Sequence, residues 1–214
     1  MRTVTVELIV IPGDKVDSET PHAELDTFLI TMPRSAIEIV DSLISTMNEL
    51  VPLALYPAHV LPIPGRIEGT AFSPGGTGLY SEARDRRAVE FPRNGAMILG
   101  HNFDSEVGFQ KSFANGRENL NVGTWRSLLD LLKDAGIPTE KCFFTNAFMG
   151  LCEGEDNKKY LGRSDASFRA ACLEFLKAQI RVQQPRLILA LGLHVPPLLA
   201  SASDDLNGWV GHFT

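Results

Sequence analysis

Gly100-His101-Asn102-Phe103-Asp104 puts an imidazole, an amide and a carboxylate within five residues, directly behind the apolar run Gly95-Ala96-Met97-Ile98-Leu99. An asparagine offers one carbonyl acceptor and two amide donors, so it can orient a water or read the edge of an amide-like base. Asn102 and Asp104 are therefore the candidate catalytic residues. A second asparagine, Asn146, follows the run Cys142-Phe143-Phe144-Thr145, and His194 follows the run 187–191. Two asparagines at neighbouring strand ends suit a ligand such as uracil, whose edge alternates acceptor and donor. Plainer roles are also open to these residues. Asn146 fits a turn cap, Asp104 an Asx-turn or N-cap, and His101 an exposed or simply hydrogen-bonded position. His194 precedes Pro196-Pro197 and fits a turn leading into a helix.

The elements that must position these residues follow from the apolar pattern. Residues 95–99, 142–145 and 187–191 read as short buried strands, and residues 124–135 and 164–183 as the helices between them. The first helix ends at Gly136-Ile137-Pro138, the usual order of stop signals. Strand, helix, strand, helix, strand at this spacing predicts right-handed βαβ units and a parallel sheet. The polar residues then meet at the carboxyl edge, where open α/β folds bind their ligands. Upstream, residues 1–12 read as a strand and Phe28-Leu29-Ile30 as a second short one. Apolar residues at 36, 37, 39, 40, 43, 44 and 47 predict an amphipathic helix that Pro52 limits. Residues 52–78, dense in proline and glycine, read as a long irregular connection, and 100–121 as a polar loop. Gly75-Gly76-Thr77-Gly78 lacks the Lys-Ser/Thr of a Walker motif. The expected organisation is an N-terminal extension over 1–90 and an α/β core over 91–214.

Composition narrows the function classes. With 214 residues the chain suits one substantial domain. A net charge of −6 argues against non-specific adhesion to nucleic acid, though not against a local basic face. The densest basic run, Arg84, Arg86, Arg87 and Arg93, is interleaved with Asp85 and Glu90 and reads as a solvated loop. Cys142, Cys152 and Cys172 form no CxxC pair, so buried thiols are expected rather than a disulfide framework or a four-cysteine metal site. No segment is apolar for long enough to span a bilayer, and the start lacks the features of a signal peptide, so a cytoplasmic location is expected. Neither GxSxG nor HExxH occurs, which removes the usual support for a small-molecule hydrolase on this fold class.

Over residues 92–210 the chain resembles the uracil-DNA glycosylase superfamily. The family's apolar strand and Gly-x-Asp/Asn-Pro motif are matched by Ile98-Leu99-Gly100-His101-Asn102-Phe103. Its following helix is matched by Gly123-Thr124-Trp125-Arg126-Ser127-Leu128-Leu129-Asp130-Leu131-Leu132-Lys133-Asp134-Ala135-Gly136, and its Thr-Asn strand by Cys142–Asn146. Cys172, Leu176, Gln179-Ile180, Pro185, Ile188 and Ala190-Leu191-Gly192 match the last stretch. The resemblance implies a three-layer α/β/α sandwich with a central, mainly parallel sheet. It also implies base excision, in which a damaged base is flipped from DNA and its N-glycosidic bond hydrolysed. Asn102 would position the water and Asn146 would bind the base edge. His101 and Phe103 would line the pocket, and Phe109 or Phe113 would stack on the base. The partner is DNA containing a modified base, or a free nucleobase. The alternative is a non-catalytic module that binds a nucleobase, nucleotide or nucleic acid on the same fold.

The sequence departs from the family at several positions. Phe103 replaces proline, and the family's pocket aromatic aligns near Asn121. Only Cys172 matches a cluster cysteine cleanly, with Cys152 approximate, so neither an iron–sulfur cluster nor another metal or cofactor is expected. The second motif, His-Pro-Ser, has no counterpart, since His212 lacks the following Pro-Ser. That segment supplies transition-state stabilisation in the family, and losing such a donor costs several kcal/mol.

Overall fold

The computed structural model describes residues 35–67, 69–80, 90–155 and 160–202, together with the backbone of 6–10. In chain order the elements are β1 (Val6–Val10), α1 (Ala36–Leu50), β2 (Val60–Leu61), β3 (Ala96–Asn102), α2 (Glu106–Ala114) and α3 (Gly123–Asp134). They continue with β4 (Cys142–Phe148), β5 (Leu151–Cys152), α4 (Ala166–Gln183), β6 (Leu187–Leu191) and α5 (Pro196–Ala200). Local chemistry sets the helix ends. A capping box opens α1: Ser35 Oγ accepts from Glu38 N at 3.2 Å, while Glu38 Oε2 accepts from Ser35 N at 2.7 Å. Asp165 caps α4 by accepting from Phe168 N at 2.8 Å, and Gln184 ends that helix in the left-handed region at φ 51°.

The main sheet runs β1-β6-β3-β4. Strand β3 lies at its centre, parallel to β4 and β6, and β1 pairs antiparallel with β6. The chain is thus a mixed α/β protein with a parallel β6-β3-β4 sheet. Side chains alternate across the strands and feed two apolar clusters. On one face Met97, Leu99, Phe143, Ile188 and Ala190 pack with Ile39, Val40 and Leu43 of α1, Cys172, Phe175 and Leu176 of α4, and Leu198 and Leu199 of α5. On the other face Ala96, Ile98, Phe144, Leu189 and Leu191 pack with Trp125, Leu128 and Leu132 of α3. A small third cluster joins Ile67, Phe109 and Leu151.

Several expectations changed. Strand β4 runs three residues beyond Thr145, so Asn146 lies within a strand. The stretch 100–121 holds α2, a nine-residue helix capped by Ser105 and too short to print a clear apolar period. Strands β2 and β5, two residues each, pair antiparallel. The expected extension shares the main structure: β1 is an edge of the central sheet, and α1 lies in the same apolar cluster as α4. The possible strand at Phe28-Leu29-Ile30 and most of the arginine run lie outside the described residues. Among the described residues no helix is long and apolar enough to cross a membrane.

Candidate functional site

Parallel register sets Gly100 of β3 beside Asn146 of β4, and Leu191 ends β6 on the other side. Above these strands, the loop around Phe72 and the segment from Glu118 to Trp125 close a cavity of about 440 Å³. That lies within the roughly 300–1,000 Å³ range of small-molecule sites. His101, Asn102, Phe103, Asp104 and Asn146 all line it. Gly100 keeps the floor open, because a Cβ there would run into Asn146 Oδ1 and come within 3.4 Å of the Phe72 ring. A side chain at this position would close the space between the two asparagines.

Asn102 is held at both ends of its amide. Its Nδ2 donates to the Asp104 carbonyl at 3.2 Å, and its Oδ1 accepts from His101 Nδ1 at 2.8 Å. Since the amide oxygen can only accept, the imidazole proton sits on Nδ1. His101 Nε2 is buried with no partner among the described residues. The ring meets Phe148, Tyr160 and His194, with centroids 5.2, 5.3 and 5.5 Å away. Burial pulls its pKa down to about 4; the Asn102 bond opposes this, while His194 and Arg163 add to it. His101 is therefore neutral near pH 7 and acts on Asn102 rather than as an acid.

Asp104 accepts from Ser105 N at 2.7 Å, and its carboxylate rests against the Cα of Gly108. Burial raises its pKa above the ordinary carboxylate value, against the opposing pull of Ser105 and Lys111. The cap of α2 is Ser105, which accepts from Gly108 N at 3.1 Å, so Asp104 is not the N-cap. Asn146 is only 2% exposed. Its Nδ2 donates to the Ser73 carbonyl at 2.9 Å, which turns Oδ1 toward Gly100. Its position inside β4 rules out a turn cap.

The aromatic wall differs from the expected one. Phe103 lines the cavity with its ring against Gly75. Phe109 does not line it. This residue is 1% exposed, belongs to the third cluster and lies 6.0 Å behind Phe103. Phe113 stacks on Phe109 at 5.9 Å and is 55% exposed. Besides Phe103, the phenylalanine and tryptophan rings on the cavity are Phe72 and Trp125, packed edge to face at 5.1 Å, with Phe144 a further 5.5 Å from Phe72. Phe72 sits in the segment that reads as a connection; its only sequence signal is an aromatic residue next to Ser73-Pro74-Gly75-Gly76. Glu118 has no such signal. It reaches the wall by accepting from Ala71 N at 2.8 Å, which ties the Phe72 loop down.

All three cysteines are buried, and burial lifts the Cys142 and Cys172 thiols to about 12, so neither is a ready nucleophile or ligand. Among the described residues no three His, Cys, Asp or Glu side chains come together as a metal site. Fold and site together define an α/β protein with an amide-, carboxylate- and aromatic-lined cavity at the carboxyl edge of its parallel strands. No family model matches the chain, and no curated protein matches it.

Proposed function

We propose that the chain is a divergent uracil-DNA glycosylase-like protein that takes a modified base into this cavity and hydrolyses its N-glycosidic bond. One observation carries the reading: Asn102 and Asn146, from two adjacent parallel strands, and Asp104, two residues beyond the first, line one cavity with the rings of Phe72, Phe103 and Trp125. A base would stack on these rings and present its edge to Asn146. Asn102 would hold a water, and Asp104, its carboxylate made more basic by burial, would accept that water's proton. Helices packed on both sheet faces, α1, α4 and α5 against α3, favour the three-layer α/β/α arrangement.

A non-catalytic base-binding module on the same fold is favoured by the clamping of both ends of the Asn102 amide. One assay separates the two readings: base release from single-stranded and duplex oligonucleotides carrying modified bases. The glycosylase reading expects release, reduced roughly a hundredfold or more in Asn102→Ala and Asn146→Ala. Binding without release at high protein concentration sinks the catalytic reading and leaves the module.

A further inference from the structure

At the carboxyl ends of β3 and β6, beside the cavity, three basic side chains converge. His101 lines the cavity, and its ring centroid lies 5.5 Å from that of His194, which stands three residues beyond β6. Arg163 comes to the same corner from the 3₁₀ turn Leu161–Ser164, directly after Tyr160, whose ring lies against His101 at 5.3 Å. The arginine's charge reaches both imidazoles. Burial first, and Arg163 second, hold His194 below the ordinary histidine value; at His101, Arg163 adds to burial and to His194.

Three mutually repelling groups are unfavourable as they stand. Arg163 makes no ion pair among the described residues, and no carboxylate among them acts on either ring. His101 Nε2 is buried at this corner and bonds to none of its neighbours. Arg163 and His194 are both exposed, so an anion can reach them from solvent. Seated there, it accepts paired N–H bonds from the guanidinium and turns the repulsion into attraction.

We propose that this corner binds a phosphate group, that of the nucleotide whose base enters the cavity, with Arg163 as the paired donor and His194 as the second contact. This rests on the base-binding reading above and names the form of its ligand: a nucleotide or a strand held by one phosphate, rather than a free base or nucleoside. His101 joins the two halves of the site, since the ring that touches His194 also braces the Asn102 amide through Nδ1. One contact of this kind changes the affinity for a single strand only about threefold between 50 and 200 mM salt.

Isothermal titration of the full chain with deoxyuridine and with its 5′- and 3′-monophosphates tests this, because the three ligands share one base and differ only in the phosphate. One of the monophosphates is expected to bind about tenfold or more tighter than the nucleoside, and which one it is shows the side of the sugar that faces the corner. Arg163→Gln is expected to bring that monophosphate to within about threefold of deoxyuridine, and His194→Ala to reduce the difference by about threefold. Both side chains are exposed, so neither variant disturbs the core. Equal binding of all three ligands, or a difference that survives Arg163→Gln, overturns the inference and leaves the base-binding reading standing. No binding of any of the three overturns both.

Discussion

At the residue scale, the site depends on one side chain and one backbone carbonyl that hold its asparagines in place. His101 fixes the Asn102 amide, and the Ser73 carbonyl fixes that of Asn146. Burial keeps His101 neutral, so between its ordinary 6.5 and about 4 the unfolded chain binds a proton that the folded chain refuses. The stability from this residue is complete above pH 6.5 and falls as the pH drops through that window. Its full loss is on the order of 3 kcal/mol, from 1.36 kcal/mol per pKa unit. Urea unfolding of the wild type and of His101→Leu at pH 4, 5, 6 and 7.5 should show a flatter profile in the variant. The His101 ring protons should titrate by NMR near pH 4, and a midpoint at 6.5 would contradict the buried, neutral ring. His101 stands between a strand and a loop in the sequence, and only its neighbours Phe148, Tyr160 and His194 show why it is a brace. Asn102, Asp104 and Asn146 were legible because each follows an apolar run, whereas Phe72 and Glu118 reach the wall from segments with no period to read.

At the element scale, β3 carries the site because it is the central strand, flanked by parallel neighbours that bring their carboxyl ends to one edge. The strands, α3 and α4 were legible from apolar runs, periodicity and stop signals. The short α2 and the two-residue strands β2 and β5 were not, since such lengths hold too few residues for a pattern. Phe109 shows the consequence. Near the candidate motif in sequence, it reads as a stacking ring, but its helix turns it into a separate cluster with Ile67 and Leu151. Helix α4 binds the sheet through Phe175 and Leu176, both fully buried beneath the face opposite α3. Phe175→Ala should cost about 3–5 kcal/mol in urea unfolding, the usual range for a buried phenylalanine. A loss below about 1 kcal/mol would mean that α4 is not held by this cluster.

At the scale of the whole molecule, the net charge of −6 and a cavity wall without lysine or arginine among the described residues limit what phosphate contacts can contribute. Binding of a short single-stranded oligonucleotide carrying a modified base should stay within about tenfold between 50 and 200 mM salt, against a roughly thousandfold or greater fall for proteins making 6–10 phosphate contacts. Titration at the two salt concentrations checks this, and a steep decline would show that backbone charge dominates. The sequence by itself determined the alternation of strand and helix, the parallel connection and the edge at which chemistry would gather. These follow from apolar period and stop signals, which are local. Only the tertiary structure decided which rings line the cavity, that β1 and α1 belong to the main body, and which way Asn146 faces. Those outcomes depend on contacts between residues far apart in the chain: Ser73 reaches Asn146 across 73 positions, and no local pattern encodes the pairing.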